Sequence, residues 1–77
     1  MPEIELYTPE KASQDLKEMA GIVKEKSRSK NLFDISAAVL DTIHRDEARF
    51  YQLRAFYGGA VVQIAKDVAL IINDENI

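Results

Sequence analysis

Two columns of side chains run in fixed phase through the second half of this sequence. Ile43, Phe50, Tyr57, Ile64 and Ile71 recur every seven residues, and Arg45, Gln52, Gly59, Lys66 and Asn73 recur at the same interval two positions later. The first column is apolar, the second polar or small. Seven residues make two α-helical turns, so this spacing turns one stripe toward a core and the other toward water. The phase holds from Ser36 to Asn73 and does not slip at Gly58-Gly59. A turn at the glycines would ordinarily shift the register. The spacing therefore predicts one continuous helix of about 38 residues, about 57 Å long. Glycine inside a helix costs about 1 kcal/mol, which close approach of another backbone can offset. The alternative is a compact three-helix bundle broken at Gly58-Gly59.

A shorter helix is expected upstream. Thr8-Pro9-Glu10 combines a capping hydroxyl, a proline suited to the first helical position and an acid at the positive end of the helix dipole. Ala12, Leu16, Met19, Ala20 and Val23 follow at helical spacing. Residues 24–30 lose all apolar character and gather basic groups, as suits a helix C-terminus and a link. Asn31 or Asp34 is then placed to cap the next helix, with Phe33 packing over its entry. The expected organisation is a single helical domain over residues 1–77. It comprises an extended arm over 1–8, a helix over 9–27, a connection over 28–33 and the long helix over 34–74. The fold class is an all-α helical hairpin.

A 30 Å helix cannot cover a 57 Å one. Residues 60–72 are moreover apolar on most sides, the mark of a helix buried on more than one face. The uncovered length is expected to bury against a second copy, as a homodimer of four-helix type. The interface would be formed by Ile43, Phe50, Leu53, Phe56, Tyr57, Val61, Ile64, Val68 and Ile71.

Composition removes several function classes. The 77 residues include no cysteine, so disulfides, thiolate metal sites and thiol nucleophiles are excluded. The start, Met-Pro-Glu-Ile-Glu, is acidic and lacks the basic and apolar regions of a signal peptide. A cytoplasmic location is expected. The most apolar stretch, 55–72, carries Gln63, Lys66 and Asp67 near its middle, which argues against a membrane span. A net charge of −3 argues against nucleic-acid binding by the whole surface.

The chemistry-bearing motifs are sparse. His44 is the single histidine, with Asp41 three residues before it and Glu47 three after. That spacing resembles half of a carboxylate-bridged metal site, but the other ligands would have to come from elsewhere, and a solvated histidine fits the charged neighbours better. No catalytic residue, metal site or cofactor is assigned, and an enzyme is not expected. Residues 45–57 interleave Arg45, Arg49 and Arg54 with Phe50, Tyr51, Phe56 and Tyr57, the residue types that dominate interface hot spots. The expected function is a non-enzymatic protein–protein interaction or regulatory module acting as a homo-oligomer. The alternative is a nucleic-acid-associated accessory protein whose anion contacts are Lys24, Lys26, Arg28, Lys30, Arg45, Arg49 and Arg54. The partner and pathway are not written in the sequence.

Overall fold

The computed structural model describes residues 6–74. Among them the chain forms four α-helices and no strand: α1 (Pro9–Lys26), α2 (Leu32–Arg45), α3 (Glu47–Phe56) and α4 (Val61–Asp74). The all-α reading holds. The arm expected over 1–8 lies mostly outside the described residues; Leu6, Tyr7 and Thr8 precede α1 as non-helical chain. The first helix begins as its residues dictate. The Lys11 amide donates to Thr8 Oγ1 at 3.2 Å, and Pro9 occupies the first turn. Lys24 and Lys26 sit in the last turn, where they suit the dipole. Asn31 caps α2, its Oδ1 accepting from the Phe33 amide at 2.7 Å.

The continuous second helix does not form, and the hairpin expected from it is corrected to four shorter helices. The first break is at Asp46, whose backbone leaves the helical region at φ −142°, ψ 66°. Its carboxylate accepts from the Arg49 amide at 3.3 Å. Aspartate competes with helix continuation by satisfying a free amide of the next helix, so α2 ends and α3 begins on one residue. The second break is at the glycines. The Gly58 amide donates to the Ala55 carbonyl and the Gly59 amide to the Arg54 carbonyl, both at 2.9 Å. This pair of crossed bonds is the Schellman ending of a helix, and it needs a left-handed residue directly after the cap. Gly58 supplies it at φ 62°, with Gly59 following at φ 81°. The chain bends by 97° between α3 and α4. The three-helix alternative placed this turn but lacked the break at Asp46.

The seven-residue columns record burial, not continuity. Ile43, Phe50 and Ile64 are buried and Tyr57 and Ile71 half-buried, while Arg45, Gln52, Gly59, Lys66 and Asn73 are all exposed. Each short helix turns one apolar residue inward per two turns, and both links preserve the count. A heptad cannot distinguish such a chain from one long helix. The longest dimension of the molecule is 45 Å, less than the predicted helix alone would have needed.

Folding back closes a core within one chain. α2 packs lengthwise on α4, α1 lies against both, and α3 contributes Phe50 and Leu53. Met19, Val23, Ile35, Val39, Phe50, Leu53, Ile64 and Val68 have almost no exposed surface. Thr42, the one buried polar residue among those described, is satisfied. Its hydroxyl donates to the Ala38 carbonyl at 2.7 Å and accepts from Lys26 Nζ at 3.2 Å. No single helix among the described residues is long and apolar enough to cross a membrane.

Gly58→Ala tests the turn. A side chain at positive φ costs about 1–2 kcal/mol, although no neighbour stands within 4 Å of the added carbon. Urea denaturation is expected to show a loss of about that size, with Gly58→Asn losing less. An unchanged Gly58→Ala midpoint would contradict the left-handed turn.

Candidate interaction surface

The predicted interface residues divide. Ile43, Phe50, Leu53, Ile64 and Val68 are buried in the chain's own core, so they are not offered to another chain. This corrects their placement, and the cause is the fold-back at Gly58. Tyr57, Val61 and Ile71 are half-buried against that core. Phe56 alone of the nine is exposed, its ring edge-on to Tyr7 at 5.7 Å and to Tyr57 at 5.8 Å. The motive for a second copy, the uncovered length of a 57 Å helix, does not arise in this fold.

The predicted anion contacts divide as well. Lys26 and Arg45 both bind Asp41, at 3.1 and 3.0 Å, and hold its carboxyl below the usual range, Lys26 contributing most. Arg49 crosses from α3 to α1, where it pairs with Asp15 at 3.0 Å and with Glu18. Hydrogen bonding to Asp15 is the main cause that raises its pKa further. The Arg49 guanidinium also lies 5.0 Å from the Phe50 ring centre. Lys24 is engaged too. Arg28, Lys30 and Arg54 are exposed and make no hydrogen bond or ion pair among the described residues. Arg45, Arg49 and Arg54 therefore do not share one face.

His44 is exposed, and Asp41 is committed to Lys26 and Arg45. Among the described residues no three His, Asp or Glu side chains gather closely enough for a metal ion. His44 instead lines a small cleft of about 120 Å³ with Leu40, Ile43, Glu47, Arg54, Gly59 and Val61.

α2 and α4 also carry exposed apolar side chains that the sequence reading did not identify. On α2 the buried stripe is Ile35, Val39, Thr42 and Ile43, which leaves Phe33 and Leu40, seven residues apart, on the opposite side. On α4 the buried stripe is Ile64, Ala65, Val68 and Ile72, which leaves Val62, Lys66, Leu70 and Asn73 outside. The two helices run antiparallel. Leu32, at the start of α2, borders a groove of about 440 Å³ with Ala69, Leu70 and Asn73, near the end of α4. Leu40 and His44 meet Gly59 and Val61 at the other end. Phe33 is 79% exposed, Leu70 68%, Val62 60%, Leu40 44% and Leu32 42%. At roughly 150–200 Å² for a whole large side chain, the five expose on the order of 500 Å². The signal in the sequence was the all-round apolar character of residues 60–72. Leu70 and Val62 are the part of it that the core does not absorb.

Two tyrosine hydroxyls tie segments of the chain together. Tyr7 donates to Asp15 at 2.6 Å and Tyr57 to Asp67 at 2.5 Å. Burial, reinforced by Asp67, pushes the Tyr57 phenol up to about 12. Burial and Asp15 push Tyr7 up as well. An unfolded tyrosine titrates near pH 10, or about there. The folded chain thus holds both protons more tightly than the unfolded one. The stabilisation is complete below about pH 10 and is lost as pH rises through the folded values. Urea midpoints are expected to fall above about pH 10, and the double variant Tyr7→Phe/Tyr57→Phe should flatten that fall. A double variant as alkali-sensitive as the parent would assign the titration elsewhere.

Comparison with protein-family models, with curated proteins and with solved structures finds no match to this chain.

Proposed function

We propose that this chain is a non-enzymatic protein-interaction module that binds another protein through the outer face of α2 and α4. One observation carries the reading: α2 and α4 leave five large apolar side chains exposed on a chain whose core is already closed. Covering roughly 500 Å² of apolar surface is worth on the order of 10 kcal/mol before the costs of association are subtracted. A specific complex of standard size covers about 800 Å² per partner. The chain's total accessible surface is 5525 Å², so one helix-pair face is the right fraction of it. The outer face of α1 offers a contrast, since Glu10, Ser13, Gln14, Lys17 and Glu18 make it polar.

Site-specific photo-crosslinking in the native cell tests this. A photoreactive residue at Val62, inside the face, is expected to capture a discrete protein adduct. The same residue at Lys17, on α1, is expected to capture none. An adduct from Val62 should disappear in a Phe33→Ser/Leu70→Ser background whose unfolding free energy stays within about 0.5 kcal/mol of the parent. Equal capture from both positions, or none from Val62, would refute the assignment of the face.

A further inference from the structure

The link between α1 and α2 borders a cavity of about 240 Å³, lined by Lys24, Ser27, Arg28, Ser29, Lys30 and Ile72. Ile72, buried on α4, supplies its apolar part. Three of the six are cations, and among the described residues no carboxylate lines the cavity. Glu25 and Asp74, the acids closest along the chain, are exposed and are not among the lining residues. The grooves that hold Lys66 and Arg54 differ, since Asp67 and Glu47 stand in them. Lys30 also borders the groove of Asp67, whereas Arg28 borders none that contains an acid. The ends of α1 and α4 bring partial negative charge here, which Lys24 and Lys26 in the last turn of α1 offset. Arg28 and Lys30 lie beyond that turn. Both are exposed, and neither makes a hydrogen bond or ion pair among the described residues.

The two serines add donors to the same space. Ser27 Oγ accepts from the Ser29 amide at 3.3 Å, and Ser29 Oγ accepts from the Asn31 amide at 3.1 Å. These bonds fold the link on either side of Arg28 and use each hydroxyl as an acceptor, which leaves its proton to donate. The polar side chains of the cavity thus offer one guanidinium, two ammonium groups and two hydroxyl protons, a set that calls for an acceptor-only anion. We propose that this cavity binds the phosphate group of a phosphomonoester. Such a group carries nearly two negative charges at neutral pH and three acceptor oxygens. Arg28 is the anchor, because its planar fork matches a pair of phosphate oxygens through two parallel N–H bonds. Lys30 adds charge at the rim, and the serine hydroxyls meet the remaining oxygen. The site is separate from the docking face proposed above, and neither depends on the other.

Nitrogen–proton correlation spectra of the intact chain test this, with inorganic phosphate compared against sodium chloride at equal ionic strength. Phosphate is expected to move the amides of residues 27–31 saturably and to leave that of Lys17 in place. Arg28→Gln should weaken binding about tenfold, the worth of one charge-assisted hydrogen bond. Arg28→Lys should weaken it less, and Lys66→Gln, in the groove of Asp67, should leave it unchanged. Arg28 and Lys66 are exposed, so each variant should keep the dispersed spectrum of the folded chain. Two further probes name the source of the phosphate, and either supports the site. Glycerol 3-phosphate binding more tightly than inorganic phosphate places the ligand in solution. Sedimentation with phosphatidic acid vesicles, but not with phosphatidylcholine vesicles, that is lost in Arg28→Gln places it on a lipid headgroup. Equal shifts in phosphate and chloride, or an affinity indifferent to Arg28→Gln, would overturn the site.

Discussion

The left-handed residue at Gly58 is the constraint on which the rest of the architecture depends. Two crossed backbone bonds end α3 there, and the 97° bend, together with the break at Asp46, lays α4 alongside α2. Without that turn Ile64, Val68 and Ile72 would not reach the core formed with α1 and α2. With it, the same residues meet Met19, Val23 and Val39 inside one domain. A small chain without disulfides or metals is hard to stabilise because so much of it is surface. Here the difficulty is met by supplying α4 to a core that α1 and α2 leave open.

The reversal also sorts the polar groups. On the side where α3 crosses α1, Arg49 bridges Asp15 and Glu18, and Tyr7 adds a hydroxyl to the same carboxylate. The Arg49 contacts join segments more than 30 residues apart in the chain and fix how α3 sits. Individually, exposed ion pairs contribute little; sharing Asp15 between two donors makes them one network. On α2 and α4, Leu32, Phe33, Leu40, Val62 and Leu70 stay exposed.

Much of this was legible in the sequence, and the exceptions have physical causes. The start of α1 was readable because Thr8, Pro9 and Glu10 each favour a helix N-terminus for a separate reason. The inward and outward columns were readable because burial follows helical periodicity. Their division into three helices was not, because Asp46 is equally at home on a helix surface and at a cap, and only the backbone decides between the two. Gly58 carried the right signal for a helix end, yet the unbroken phase outweighed it. Phe33 was expected to pack over the entry to α2. With Asn31 as the cap, Phe33 falls at the second helical position and points outward. The exposed face could not be read beforehand because it is defined by which apolar residues the core leaves over, and that depends on where the helices end.

The place of α4 in the chain has a consequence for how the protein is made. During synthesis α1, α2 and α3 leave the ribosome first. Until α4 follows, the inner faces of α1 and α2 lack the partner that contributes Ile64, Ala65, Val68 and Ile72. The connections between neighbouring helices are short, so local pairing is fast once all the parts are present. The native core therefore cannot close until α4 has been made, since α4 packs against both α1 and α2.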